Sequence, residues 1–180
     1  MSEQKQPGVK TSYHRIVLTG FMGSGKSTVG PLVAKRLGWR FIDADNVIEA
    51  DAGIPISEIF VRHGEPHFRE QERATIARLV ATDALVLALG GGAIETEPTR
   101  TLLTGSEGTL LVHLEVQLST TVARCGGTEG ARPVLADQAN LAKRYERRLP
   151  LYRTAHITIS VDKLTPAEVA DAIVSAARAE

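Results

Sequence analysis

Cysteine is nearly absent from this chain: Cys125 is the only one among 180 residues. No intrachain disulfide can form, which excludes a disulfide-stapled secreted mini-protein and fits a reducing compartment. Net charge is absent as well. Twenty-one Lys+Arg residues are balanced by 21 Asp+Glu residues. A general nucleic-acid binder or membrane-surface binder is therefore not expected. No apolar run approaches the roughly 18 residues that a membrane-spanning helix needs. The opening stretch MSEQKQPGVKTSYHR has no apolar centre, so it does not read as a secretory leader. Residues 1–12 read as a loose polar tail. There is no internal repeat and no other low-complexity segment. With 43% apolar residues, wholesale disorder is excluded too. What remains is one soluble, cytoplasmic globular domain, and a chain of this size can bury roughly 70% of its unfolded surface without a staple.

The pattern along the chain alternates strands with helices. Arg15 to Thr19 reads as a buried strand, followed by a glycine-rich turn and a helix from Lys26 to Leu37 that stops at Gly38. Pro31 lies inside that helix, so a kink or an irregular first turn is expected. Trp39 to Ile42 reads as the next strand. Two helices, 56–63 and 66–81, are expected on either side of Gly64-Glu65-Pro66. Ala84 to Leu89 is wholly apolar, suiting a central parallel strand, and it ends in Gly90-Gly91-Gly92. Thr109 to Leu114 is a strand and Leu118 to Arg124 a helix. Cys125 to Arg132 reads as an exposed, mobile loop. A charged helix, 137–149, is expected to stop at Pro150. His156 to Val161 alternates as a strand. Thr165, Pro166 and Glu168 form a capping box that opens the last helix. Such alternation implies a parallel α/β sheet with its site at the carboxyl ends of the strands.

Gly20-Phe21-Met22-Gly23-Ser24-Gly25-Lys26-Ser27 fits G-x-x-x-x-G-K-[ST] between a strand and a helix, the context that gives this motif its meaning. The glycines let several backbone N–H groups face one anion, and the helix adds its positive end. Gly23, Ser24, Gly25, Lys26, Ser27 and Thr28 are thus candidate nucleotide contacts. Lys26 can reach the outer phosphates, and the Ser27 hydroxyl can ligate Mg²⁺. Asp43 and Asp45 follow the second strand, on the same sheet edge. One could serve the metal's water shell and the other orient a hydroxyl or take its proton. The alternative for this pair is a helix N-cap and a solvated acid. Arg69, on a helix with Phe68, Ile76 and Leu79, is a binding group or a surface arginine. Three successive glycines, Gly90 to Gly92, point to a ligand passing close to the backbone. Arg132, before Pro133, either folds over the nucleotide or is solvated. Arg144, Arg147, Arg148 and Arg153 form a basic cluster around Pro150, most of it expected to be solvated.

Taken together, GFMGSGKST, Asp43-x-Asp45, GEPHFRE (64–70), LALGGGA (87–93), Arg132-Pro133 and Arg148-Leu-Pro-Leu-Tyr resemble the shikimate kinase family, in its order and over nearly all of the chain beyond residue 15. The resemblance implies a five-stranded parallel sheet of order 2-3-1-4-5 flanked by helices. It implies a P-loop kinase with a substrate-binding subdomain (45–80) and a mobile lid (124–136). The implied reaction is ATP-dependent phosphorylation of the 3-hydroxyl of shikimate, in aromatic amino-acid biosynthesis. By resemblance, Asp45 would hold the substrate hydroxyls and act as base. Arg69 and Arg148 would grip the carboxylate, and Gly90, Gly91 and Gly92 would line that pocket. Ser27 and Asp43 would serve Mg²⁺. Lys26 and Arg132 would neutralise phosphate charge, and Arg124 would lie near the adenine. The implied partners are ATP and shikimate, with no nucleic acid or membrane, and the chain is expected to be monomeric. The residue chemistry agrees: guanidinium groups hold carboxylates bidentately, and phosphoryl transfer needs positioning and charge neutralisation.

Three other readings compete: a kinase of another hydroxy acid such as gluconate, a non-catalytic ATP-binding switch, and a fragment of a helicase or transporter ATPase. The presence of Lys26, Ser27, Asp43 and Asp45 argues against the switch, and the zero net charge and small size argue against the fragment. The histidines His14, His63, His67, His113 and His156 have no metal-ligand spacing and read as structural or solvated. Cys125 carries no catalytic role. Trp39 and Phe41 read as core, and Phe60 and Phe68 as core or pocket wall.

Overall fold

A computed structural model of the chain describes residues 12–125 and 138–178. Five parallel strands form one sheet in the order β2-β3-β1-β4-β5. They are β1 (Arg15–Thr19), β2 (Arg40–Asp43), β3 (Leu85–Ala88), β4 (Thr109–Glu115) and β5 (Ile157–Ser160). The strand order is the expected one. The helices are α1 (Lys26–Leu37), α2 (Ala44–Ala52), α3 (Ile56–Val80), α4 (Glu97–Gly105), α5 (Leu118–Cys125), α6 (Gln138–Tyr152) and α7 (Pro166–Arg178).

The three inner strands are buried along nearly their whole length, as their unbroken apolar runs require. Successive side chains then serve opposite faces. Ile16 and Leu18 pack with Val29 and Val33 of α1 and Ile173 of α7, whereas Val17 packs with Ile76 of α3 and Leu103 of α4. Each fully buried Leu or Ile contributes roughly 1.5–3 kcal/mol. A third, smaller cluster of Ile48, Ile59 and Phe68 lies within α2 and α3, with Phe60 packed against it. Among the described residues, no helix is long and apolar enough to cross a membrane.

Several expectations need correction. Helix α1 runs uninterrupted across Pro31. The proline forfeits one hydrogen bond, but Val29, Val33 and Leu37 are buried on either side of it and hold the helix in place. Pro150 does not stop α6, which continues to Tyr152. Only the carbonyl of Glu146 loses a partner there, and Glu146 is at the surface. Cys125 is buried at the end of α5, not exposed in a loop. Helices α2 and α4 add to the expected pattern. Strand β2 lies one residue later than expected and ends at Asp43. The expected break at Gly64 is present: its φ of 80° interrupts α3. The capping box also forms, with Thr165 N–H donating to Glu168 at 2.8 Å. The glycine-rich loop 126–130, Arg132 and Pro133 lie outside the described residues, as does nearly all of the 1–12 tail.

Candidate active site

Loops at the carboxyl ends of β1, β2 and β3 meet at one edge of the sheet, where this architecture places ligands. They border a cleft of about 740 Å³. Residues Gly23 to Thr28 form one wall, and Asp43, Asp45, Gly91 and Arg124 line it as well. Val161, Leu164 and Val169 supply an apolar end.

The turn after β1 ends at Gly25, whose φ of 93° starts α1 at Lys26. At Gly20 a Cβ would stand 2.5 Å from the Leu114 carbonyl oxygen, so only glycine fits. Lys26 curls back over this turn, donating to the carbonyls of Gly20 at 2.7 Å and Phe21 at 3.2 Å. Its ammonium therefore sits beside the N–H groups at the start of α1, where an anion is favoured. Arg124, in the last turn of α5, donates to the Gly23 carbonyl at 2.9 Å.

Asp43 performs two tasks at once. Its Oδ1 accepts the Asp45 N–H at 3.0 Å and caps α2, and its Oδ2 accepts the Ser27 hydroxyl at 3.1 Å. The cap reading of Asp43 thus holds, while its second oxygen faces Ser27. Ser27 and Asp43 bring two oxygen donors together, the donor type that Mg²⁺ prefers. Asp45 is not a solvated acid. Burial pushes its carboxyl above the usual aspartate range, the neighbouring Asp43 charge adds to this, and Lys26 and Arg69 offset only part.

The three glycines after β3 have a structural cause that differs from the expected one. A Cβ at Gly90 would lie 2.7 Å from Asp45 Oδ1, and a Cβ at Gly92 would lie 2.3 Å from Arg69 Nη2. The close approach is made by the site's own side chains. Gly91 is more open and accepts the Tyr152 hydroxyl at 2.5 Å. Burial pushes the Tyr152 phenol up to about 12, so it stays a donor.

Arg69 and Arg148 come from α3 and α6 yet converge on one carboxylate. Glu95 Oε2 is 3.0 Å from Arg148 Nη2 and 3.5 Å from Arg69 Nη2. Arg148 is buried, with its Nε lacking a hydrogen-bond partner. Arg69 Nη1 also donates to the buried Glu72 at 2.7 Å. Burial raises the Glu72 carboxyl despite that contact. Sequence reasoning missed both glutamates. Glu72 was within reach of it, since an acid three residues after a helical arginine shares its face. Glu95 follows the glycines in a short 3₁₀ turn (Ala93–Glu95) that carries no periodic signal. Apart from Arg132, every expected site residue lies at this sheet edge or in the arginine cluster that adjoins it through Gly91 and Gly92.

A family model described as shikimate kinase matches residues 22–178. A shikimate kinase from Moorella thermoacetica is 42% identical over 166 residues, which are 91% of this chain and 94% of that protein. One from Salinispora tropica is 48% identical over 157 residues, 86% of this chain and 92% of its own. Among solved structures, shikimate kinase from Acinetobacter baumannii in complex with shikimate superposes with a TM-score of 0.84 at 35% identity. That match covers 92% of this chain and 93% of that one. A gluconokinase from Sinorhizobium meliloti reaches a TM-score of 0.61 at 22% identity, covering 92% of each chain, and shares the fold alone. A family match from residue 22 to residue 178, with relatives above 40% identity along most of both chains, leaves one placement: this chain belongs to the shikimate kinase family.

Proposed function

We propose that this site transfers the γ-phosphoryl group of ATP to the 3-hydroxyl of shikimate. The observation that carries this reading is the convergence of Arg69 and Arg148 on a single carboxylate position beside Asp45. A cyclic acid bearing adjacent hydroxyls can place its carboxylate on the two arginines and its hydroxyls on Asp45. Asp45 accepts the hydroxyl proton as the nucleophile attacks. Gly90 and Gly92 make room for Asp45 and Arg69, and Gly91, the more open of the three, lines the substrate pocket. Residues 45–80 act as the substrate-binding subdomain.

The residues from Gly23 to Thr28 cradle the phosphates, with Lys26 as the main counter-charge. Ser27 and Asp43 would hold Mg²⁺, Asp43 through water. Held there, the ion would supply positive charge against the negative charge of the phosphates. Arg124 lies near the adenine. The enzyme works as a cytoplasmic monomer and needs no nucleic acid or membrane.

A coupled assay for ADP release, with ATP, Mg²⁺ and either shikimate, gluconate or no acceptor, tests this reading. Turnover with shikimate alone is the expected result. Turnover with gluconate alone would reassign the acceptor, and nucleotide binding without turnover would favour a switch.

A further inference from the structure

The arginine cluster already contains as many acids as bases. Arg69, Arg147 and Arg148 face Glu65, Glu72 and Glu95, so their formal charges cancel. Every nitrogen of the Arg69 guanidinium is already engaged: Nε and Nη2 by Glu65 at 3.3 and 3.2 Å, Nη1 by Glu72. A further carboxylate would leave an uncompensated negative charge in a half-buried site that also holds Asp45. Such a charge is costly where solvation is poor. One of the resident acids must therefore give way.

The three glutamates are not equivalent. Glu72 is 3% exposed, and Glu65 is exposed and, among the described residues, pairs with Arg69. Glu95 is the acid that touches the buried Arg148, the half-buried Arg69 and also a surface arginine, Arg147, whose side chain is 67% exposed. Its backbone is anchored independently, because Arg100 Nη1 donates to the carbonyls of Ile94 and Glu95 at 2.8 and 2.9 Å. The side chain can therefore turn outward while its main chain stays fixed, and it can keep Arg147 as a partner at the surface.

We infer that Glu95 is a specificity-setting residue of the acid subsite: its carboxylate holds Arg69 and Arg148 and is exchanged for the carboxylate of the incoming substrate. This rests on the acid-kinase function proposed above. The exchange keeps both guanidinium groups paired and disfavours ligands that lack a carboxylate, since only an anion can replace an anion there. The Arg148 hydrogen bond and charge, helped by Arg147, outweigh burial and hold Glu95 below the usual glutamate range, so it competes as an anion.

The test is steady-state kinetics of the full chain with Glu95→Gln and Glu95→Ala. Removing one competing half-buried ion pair should lower KM for shikimate about fivefold and leave KM for ATP unchanged. Arg147→Ala, a surface change, removes the partner that Glu95 keeps when it turns outward, so it should raise KM for shikimate about twofold. It carries the test if the Glu95 variants do not fold. An unchanged or higher KM for shikimate in the Glu95 variants, or an unchanged or lower one in Arg147→Ala, would overturn the exchange and make Glu95 a fixed positioning group. A second arm titrates acetate, followed by NMR of the arginine Nε signals. Acetate should bind more tightly to Glu95→Gln than to the unaltered chain, and equal or weaker binding overturns the exchange even if shikimate proves not to be the acceptor. Lack of turnover with shikimate, by contrast, sinks only the proposed function.

Discussion

Ser27 Oγ donates to Asp43 Oδ2 at 3.1 Å, which ties the head of α1 to the end of β2. The same aspartate caps α2. Asp43→Asn keeps an acceptor for the cap but loses the charge. The Mg²⁺ concentration needed for half-maximal activity should rise about 10- to 100-fold, with the melting temperature nearly unchanged. Asp43→Ala should match that loss and also cost about 1 kcal/mol of stability from the missing cap. Magnesium titrations and thermal melts of the two variants separate these effects.

Asp45 is ionised at a cost, because burial raises its carboxyl. Asp45→Asn should lower kcat by about 10²- to 10⁴-fold, with ATP affinity little changed. Equal losses in both would make Asp45 structural. The sign of the stability effect is opposite. A carboxyl raised in the folded state binds protons more tightly there than in the unfolded chain. Stability is therefore lost as pH rises through the folded-state value, and the neutral asparagine avoids that loss. Asp45→Asn should melt higher than the unaltered chain at pH 7. A lower melting temperature would contradict the burial argument.

His113 tests the opposite sign. It is buried against Tyr152, the ring centroids being 5.1 Å apart, and burial lowers its imidazole to about 4. The unfolded chain takes up this proton near the ordinary value of 6.5, before the folded chain does. Stability should fall as pH drops from 6.5 towards about 4. His113→Gln should flatten that part of the profile, measured by chemical denaturation at several pH values. An identical pH dependence in the variant would refute it.

Gly90 and Gly92 should separate chemistry from binding. In Gly92→Ala the new methyl displaces the Arg69 guanidinium, so KM for shikimate should rise about tenfold or more. In Gly90→Ala it presses on the Asp45 carboxylate, so kcat should fall more than KM rises. Both clashes fall on the ends of side chains, so both proteins should fold. Matching kinetic changes in the two variants would contradict the assignment.

Much of this protein was written locally. Apolar runs gave β1, β3 and β4, glycine at a turn gave the end of α1, and Thr165 with Glu168 gave the start of α7. The phosphate loop was legible for the same reason: its function depends on backbone geometry within eight consecutive residues. Pro31 and Pro150 misled, because a proline's local cost of about 3 kcal/mol is outweighed by buried neighbours in the same helices. Cys125 misled likewise: its flanking glycines suggest a loop, whereas packing against the core decides its burial.

The chain's own order of residues therefore determined most of the elements and the identity of the phosphate site, since each rests on contacts between near neighbours. The strand order, which pairs β1 with the distant β3 and β4, was legible only through the family resemblance. Only the tertiary structure decided that Gly90 and Gly92 make room for Asp45 and Arg69, and that Glu95 sits between Arg69 and Arg148. Arg69 and Arg148 are 79 positions apart in the chain, and no local pattern encodes such a distance. Their meeting depends on how α3 and α6 pack around the end of β3, a property of the folded whole.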